Sequence, residues 1–425
     1  MNATGTSLHR ALGLWDAVGV GLGAIIGAGI FVVTGEAAGV AGPAFLVGLG
    51  IAGAVAAFNG ISSAQLAAVY PYSGGTYEYG HRLLGPVWGF SAGWMFVASK
   101  LSAAGVVALG FGAYAHALLP KVPAMALSVG AVVLLTLANI LGIRKAGTLN
   151  LLIVGITLLV LLYFSVGGLS QVSRDHFVPF APTGWTGVLT SAALLFFAFT
   201  GYARIATLAE EVRDPKRTIP RAVIITIAVA IVLYALVAFV AVGTIGAPAM
   251  AATNAPLQAA ASAMDLPGIG ILILLAAATA MLGVLLSQVL GISRMLLAMG
   301  RRHDLPPALA RIHSRRKVPI VAIVLTGGII LAMVLFGTIG FILRTATFTI
   351  LLYYAITNIA ALKQPGNEQQ YGRWVPALGL VGCVVMAASL SGQTVLYGIG
   401  VLLVGLLFRA AMHRLFGPAT NTTDA

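Results

Sequence analysis

The chain has 425 residues, of which 59% are apolar and only 8% charged, and its mean hydropathy is +1.00. Charged residues make up about a quarter of an ordinary soluble protein, so this composition excludes a soluble globular domain and indicates an integral membrane protein. The single cysteine, Cys383, excludes a disulfide framework and a cysteine-based metal site.

The positive charge is distributed unevenly along the chain. The 24 Lys and Arg residues give a formal net charge of +13. Three of them fall inside apolar runs and three in loops on one side of the membrane, whereas the rest share the other side. This bias follows the positive-inside rule. The basic excess therefore indicates topology and contact with membrane lipid, and it does not indicate a nucleic-acid partner.

Apolar runs and their breaks predict about twelve membrane spans in a single membrane domain over residues 1–425. In chain order the predicted spans are 14–34, 42–69, 86–118, 122–143, 147–169, 187–209, 219–246, 267–300, 318–337, 341–362, 374–391 and 393–410. They divide into a first five-span unit (14–169), a second five-span unit (187–362) and two extra helices (374–410). An even number of spans, with Arg10, Arg409 and Arg414 in the tails, places both termini in the cytoplasm. No cleavable signal peptide is evident before the first span.

The first span is rich in glycine, at Gly21, Gly23, Gly27 and Gly29. Each glycine costs a helix about 1 kcal/mol relative to Ala, and backbone that leaves a helix in lipid must face protein or a water-filled cavity. We therefore predict that the helix breaks at residues 27–29 near the midplane, where free amides would hold an anionic group. The alternative is that the glycines only permit close helix packing.

The following segments contain a second candidate break. An aromatic, turn-rich cytoplasmic loop at 70–79 joins the second and third spans, and its simpler interpretation is an interfacial anchor. In the sixth span, Gly201 stands beside Thr200 between aromatic residues, which predicts another interruption. Because the first and sixth spans are five apart, the pair points to an inverted-repeat transporter.

Four separated stretches resemble the amino acid–polyamine–organocation (APC) superfamily: residues 26–31 (IGAGIF), 197–202 (FAFTGY), 211–221 (EVRDPKRTIPR) and 293–301 (SRMLLAMGR). The resemblance covers most of the chain. It implies an all-α integral membrane fold of twelve transmembrane helices, with a five-plus-five inverted repeat of leucine-transporter type, broken first and sixth helices, and two extra C-terminal helices. It also implies amino acid transport by alternating access, with no cofactor and no metal. Many members carry an acidic residue soon after the sixth-span glycine; Ala203 stands there instead, so that acid's coupling role does not transfer.

The resemblance further implies a substrate site at the two breaks, formed by Ile25, Ile26, Gly27, Ala28, Gly29, Phe197, Ala198, Phe199 and Thr200. The amides of residues 27–29 would bind the substrate α-carboxylate. The carbonyls of Ile25, Phe197 and Thr200 would bind its α-ammonium. Phe197 or Phe199 would close over the substrate, and the alternative is that both rings serve only in packing.

Lys100 is the leading candidate for a coupling residue, because it lies well inside the third span. A charge there costs about 2.5–3.5 kcal/mol, so the side chain should face the bundle or a cavity. A desolvated ammonium can exchange its proton near neutral pH, so Lys100 would take part in proton coupling or supply a fixed positive charge. The alternative is that it snorkels to an interface or binds carbonyls.

Three further residues are coupling or gating candidates: Thr157, Ser287 and Arg204. By alignment with proton-coupled and sodium-coupled relatives, Thr157 in the fifth span and Ser287 in the eighth occupy cation-site positions, which keeps a sodium ion open beside protons. Arg204 and Arg294 would lie near the cytoplasmic ends of their helices, where cations suit the helix dipole. The alternative for Arg204 is a gating ion pair with an acid, for which the candidates are Asp16, Glu210 and Glu211.

The predicted function is secondary active transport across the cytoplasmic (plasma) membrane. The 11 acidic residues all fall in loops, tails or span ends, which disfavours a strongly cationic substrate and favours proton-coupled uptake of neutral L-amino acids. Lys100 and Arg204 leave an anionic side chain open. The alternatives are an obligate amino acid exchanger and a non-transporting amino acid sensor of the same fold. No metal-ligand cluster, nucleotide fingerprint or Walker A motif supports an enzyme or an ATP-driven pump. Nothing in the sequence bears on the oligomeric state.

Overall fold

Apolar helices provide almost all of the regular structure in the part of the chain that is described. The computed structural model describes residues 12–70, 74–142, 147–207 and 212–417. In these ranges one isolated bridge, between Leu12 and Val212, accompanies the helices. The α-helices are, in order, α1 (Leu14–Ile25), α2 (Thr34–Ala41), α3 (Phe45–Val69), α4 (Thr76–Leu83), α5 (Pro86–Leu118), α6 (Ala124–Leu141), α7 (Gly147–Gly168), α8 (Gly184–Phe199), α9 (Ala203–Thr207), α10 (Pro215–Ala251), α11 (Pro256–Ser262), α12 (Ile269–Arg301), α13 (Ile320–Phe336), α14 (Ile339–Lys363), α15 (Trp374–Ala388) and α16 (Gly392–Phe416).

Nine helical stretches in the described residues are long and apolar enough to cross a membrane. The first, Leu14–Val69, contains 56 residues, whereas a crossing needs only about 20. Two shorter apolar helices, Ile320–Phe336 and Trp374–Ala388, accompany them. The prediction of an all-helical integral membrane protein is therefore confirmed.

A turn at Gly42 separates α2 from α3. Gly42 has φ +59° and ψ −155°, a conformation that a β-carbon disfavours, and Pro43 follows it in a short 3₁₀ turn. An added β-carbon at Gly42 would come within 2.7 Å of the Pro182 ring. Glycine is therefore required here by both the backbone angle and the neighbouring chain.

Two irregular segments lie opposite each other in the bundle. After α1 ends at Ile25, Ile26 has an extended backbone (φ −76°, ψ 106°), and a π-helical segment, Gly29–Val33, leads into α2. After α8, a 3₁₀ segment, Thr200–Tyr202, leads into α9. The first N–H groups of a helical segment have no acceptor one turn earlier. The regular α-helical hydrogen-bond pattern is therefore interrupted at both segments, inside the bundle.

Small residues allow each irregular segment to touch the α-helix that precedes the other. A β-carbon on Gly29 would lie 2.6 Å from the Cα of Ala198, and one on Gly201 would overlap the carbonyl of Ala24. In both cases the opposing atoms belong to the backbone, which cannot move aside as a flexible side chain can. The close contact thus depends on glycine at both positions.

The sequence did not predict α4, which begins in the loop expected at 70–79 and ends at Leu83, or α11, which precedes the eighth predicted span. Residues 71–73 of that loop lie outside the described part of the chain, as does Arg10 of the N-terminal tail. Thr76 of α4 bonds the hydroxyl of Thr357 in α14 at 2.8 Å. The helix is therefore held by tertiary contacts rather than by an apolar run of its own.

Asp304, in the loop after α12, joins α4 to α16. The carboxylate is only 2% exposed; it accepts hydrogen bonds from the hydroxyl of Tyr77 (2.7 Å) and from Nε of Arg409 (2.8 Å). His413 Nε2 lies 3.3 Å away and His81 Nε2 lies 3.6 Å away. We call these five residues the Asp304 cluster. It connects three segments that are distant in sequence at one end of the bundle.

Candidate functional site

A cavity of about 530 Å³ lies along α12, a size typical of sites for small molecules. One face of α12 forms much of its wall, with polar or charged side chains at heptad spacing: Ser287, Arg294 and Arg301. Arg301 lies 14 residues after Ser287, which corresponds to about 21 Å along the helix axis. Arg294 and Arg301 are exposed, whereas Ser287 is partly buried. The cavity therefore runs from the interior of the bundle towards the basic loop that follows α12.

Lys100 reaches this cavity from α5. Its side chain is 8% exposed, and it makes no hydrogen bond or ion pair with any residue that the structure describes. Its Nζ lies 5.7 Å from the centre of the Phe96 ring, one helical turn earlier on the cavity wall. The prediction that Lys100 faces a cavity agrees with this position, and its role in coupling stays a prediction.

Arg204, at the start of α9, lines the same cavity. Its guanidinium donates a hydrogen bond of 3.2 Å to the carbonyl of Ser287. Of the acids proposed for a gating pair, Asp16 accepts a bond from the amide of Gly13 at 2.9 Å and caps α1. Glu210 and Glu211 lie outside the described residues.

The predicted substrate residues lie at and behind the inner end of the cavity. Thr200 lines the cavity, beside Ala24 and Gly201. The remaining predicted contacts do not line it: Ile25, Ile26, Gly27, Ala28, Gly29, Phe197, Ala198 and Phe199. A β-carbon on Gly27 would lie 2.9 Å from the Val284 side chain, which does line the cavity. The irregular part of the first helix is thus separated from the cavity by one layer of side chains. Binding of the substrate carboxylate by the amides of residues 27–29 stays a prediction.

The carbonyls expected to bind the α-ammonium already have hydrogen-bond donors. The hydroxyl of Tyr234 donates to the carbonyl of Ile25 at 2.8 Å, and that of Tyr354 donates to the carbonyl of Thr200 at 3.4 Å. The hydroxyl of Thr200 itself donates to the carbonyl of Phe197 at 2.9 Å. Each carbonyl oxygen has a second lone pair. A substrate ammonium would therefore share these carbonyls with protein hydroxyls.

Neither proposed gate ring contacts the cavity. Phe197 and Phe199 are both buried, and the Phe199 ring packs on Tyr234 with ring centres 5.4 Å apart. The aromatic residue that does line the cavity is Phe96. Sequence reasoning missed it, although its position four residues before Lys100 on one helix is a signal that could have found it.

The two predicted cation-site residues lie on different cavities. Thr157 lines a small space of about 10 Å³, roughly one water molecule, together with Ile26, Ala280 and Gly283. The hydroxyl of Thr157 donates to the carbonyl of Ile153 at 2.8 Å. Ser287 lines the large cavity, one turn further along α12 than Gly283. The structure therefore associates Ser287 with the charged cavity and Thr157 with the interrupted first helix.

A bundle of apolar helices around a polar, charged cavity defines the class of helical membrane transporters. A family model described as amino acid permease matches residues 16–419. The chain belongs to this family, which lies within the superfamily named above.

Among individual relatives, an uncharacterized transporter of Mycobacterium tuberculosis is 43% identical over 98% of this chain and 94% of its own length. A methylthioribose transporter of Bacillus subtilis is 30% identical, over 91% of this chain and 90% of its own length. A branched-chain amino acid permease of Bacillus subtilis is 28% identical, over 94% of this chain and 92% of its own length. These names point to a transport role rather than an enzymatic one.

Proposed function

We propose that this protein is a secondary active amino acid transporter that works by alternating access. The observation that carries the proposal is the cavity along α12, which begins beside the contact of Gly201 with Ala24 and continues to the exposed Arg294 and Arg301. Beyond that contact the described residues are closely packed: Phe31, for example, is fully buried against Tyr114, with ring centres 5.8 Å apart. A site reached from one side at a time is what alternating access requires.

The proposed architecture has twelve crossings in a five-plus-five inverted repeat with two added helices. In this proposal the turn at Gly42 divides the 56-residue first stretch into two crossings, and the two shorter apolar helices supply two more. The irregular segments would then fall in the first and sixth crossings, as expected for paired interrupted helices. The basic loop after α12 and the positive-inside rule support an orientation in the plasma membrane with the open end of the cavity and both termini on the cytoplasmic side.

Substrate binding is proposed at the interrupted helices. Amides of residues 27–29 hold the α-carboxylate, and the carbonyls of Ile25, Phe197 and Thr200 hold the α-ammonium. The contact of Gly29 with Ala198 and of Gly201 with Ala24 supports this arrangement because it brings both sets of backbone groups together. The absence of an acid in the spans disfavours a cationic substrate side chain and is compatible with a neutral or an acidic one.

Proton coupling is proposed to use Lys100. A buried ammonium with no ionic partner in the described structure is costly. Because this cost depends on the surroundings, Lys100 would bind or release a proton when those surroundings change. Alternating exposure of the cavity would expose Lys100 to each side in turn. Sodium at the small Thr157 cavity is the second candidate, because the cavity adjoins Ile26 at the interruption.

The test is uptake of labelled L-amino acids into proteoliposomes, with and without an inward proton gradient. We expect accumulation that requires the gradient and that is lost in Lys100→Ala but retained in Lys121→Ala, a matched change at an exposed lysine. Uptake only into vesicles preloaded with amino acid would instead support an obligate exchanger. Binding of an amino acid without any flux would support a sensor, and a requirement for sodium would move the coupling site to Thr157.

A further inference from the structure

The charged side chains that line the cavity along α12, among the described residues, are all basic. Four basic side chains line it: Lys100, Arg204, Arg294 and Arg301. No Asp or Glu lines it among the residues that the structure describes. A cleft lined by one sign of charge concentrates ligands of the opposite sign and repels ligands of the same sign.

The acids of the neighbouring Asp304 region bind other bases. Glu78 accepts bonds from Arg82 (2.7 Å) and Arg302 (2.6 Å). Asp304 accepts its charged bond from Arg409 at 2.8 Å. Within the described ranges, Arg294 and Arg301 form no ion pair with these carboxylates. Glu78 and Asp304 therefore do not neutralise Lys100, Arg294 or Arg301.

Topology alone explains only part of this charge. The positive-inside rule accounts for exposed arginines near the cytoplasmic end of a helix, such as Arg294 and Arg301. It does not account for Lys100, which is more than nine-tenths buried, belongs to a different helix and reaches the same cavity. A charge kept at such depth is costly unless it acts on a ligand or an ion.

We propose that the substrate of this cavity is an acidic amino acid, whose side-chain carboxylate is bound by Lys100 with the arginine face of α12. This inference rests on the proposed transport function and adds the charge of the substrate. The α-carboxylate and α-ammonium of any amino acid cancel at the irregular segments, so a neutral substrate adds no counter-charge for Lys100, Arg294 and Arg301, which form no ion pair within the described residues. The side-chain carboxylate of an acidic amino acid supplies this counter-charge. A cationic substrate side chain would instead be repelled by the basic side chains of the cavity.

The first measurement compares isosteric ligands on the full-length protein in detergent. Binding of L-glutamate, L-glutamine, L-aspartate and L-asparagine is followed by calorimetry or by the shift in Tm, and uptake of the same four is followed in proteoliposomes. Within each pair the two ligands differ in charge but hardly in shape. We expect the acidic member to bind more tightly by roughly 10- to 100-fold, the usual value of a hydrogen bond to a charged group.

Three variants identify the group responsible. Lys100→Met removes the charge and keeps the length of the side chain; we expect it to reduce glutamate affinity by roughly 10- to 100-fold and to leave glutamine affinity little changed. Lys100→Arg should retain a preference for glutamate. Lys121→Met, at an exposed lysine outside the cavity, should match the unmodified protein. If Lys100→Met does not fold, Arg294→Gln removes a charge from the α12 side of the cavity, and it should likewise reduce the affinity for glutamate more than the affinity for glutamine.

The outcomes separate this inference from the transport proposal. Glutamine binding as tightly as glutamate, or an equal loss for both ligands in Lys100→Met, overturns the inference. Uptake of a neutral amino acid with no binding of any acidic one also overturns it while leaving transport intact. Glutamate binding without flux supports the substrate charge and refutes transport.

Discussion

Replacing Asp304 with alanine tests whether the Asp304 cluster fastens one end of the bundle. The change leaves Arg409, whose side chain is 14% exposed, without its carboxylate, and leaves the hydroxyl of Tyr77 without an acceptor. Breaking a buried ion pair by removing one partner costs about 3–5 kcal/mol, because the remaining charge is buried and uncompensated. We expect a clear fall in Tm of the detergent-solubilised protein, followed by intrinsic fluorescence. Asp265→Ala, at an exposed acid, is the matched control and should be close to neutral.

A double-mutant cycle then isolates the interaction. In the background of Arg409→Met the buried charge is gone, so Asp304→Ala should cost less than in the unmodified protein, by about 0.5–3 kcal/mol. The reasoning is refuted if Asp304→Ala behaves like Asp265→Ala, or if the two substitutions are simply additive. Either result would mean that the cluster is solvated and contributes nothing to the attachment of α16.

Two further predictions concern other parts of the molecule. Gly201→Ala should lower Tm and abolish uptake, at a cost of about 1–3 kcal/mol or more, because its β-carbon would overlap the Ala24 carbonyl; Gly50→Ala, which meets no atom within 4 Å, should leave both unchanged. Burial lowers the pKa of His81 in α4, so the unfolded chain binds more protons than the folded one just below the unfolded pKa of about 6.5. Stability should therefore fall as the pH is reduced from about 6.5 towards the lower pKa of His81 in the folded protein. Measured as Tm, this fall should be smaller in His81→Gln than in the control His116→Gln, which changes an exposed histidine.

Hydropathy alone predicted most of the helices, because a lipid-facing helix must be apolar along its whole length. The predicted span at 86–118 coincides with α5, and the one at 267–300 begins and ends close to α12. The same reasoning missed α4, since Tyr77, Glu78 and their neighbours are polar and follow turn-forming glycines. That helix is stabilised by partners more than 200 residues away, such as Asp304, which no local pattern reveals.

The candidate site was predictable where it depends on one helix and not where it depends on several. The glycines of the first span indicated an irregular helix, and the depth of Lys100 in its span indicated a cavity. The heptad spacing of Ser287, Arg294 and Arg301 was visible in the sequence, but its meaning required the wall that α5 supplies. Thr157 and Ser287 line different cavities because of the way α7 and α12 pack against the first helix. The local sequence around either residue does not reveal this packing.

The tyrosine hydroxyls at the interrupted helices affect the return step of a transport cycle. Tyr234 and Tyr354 donate to the carbonyls of Ile25 and Thr200, so these backbone groups have partners whether or not an ammonium is bound. A carrier whose interruptions were stable only when loaded would have to return with cargo, and it would exchange one amino acid for another. Under the alternating access proposed above, the empty protein would keep these carbonyls hydrogen-bonded, so we expect it to return unloaded and to support net accumulation.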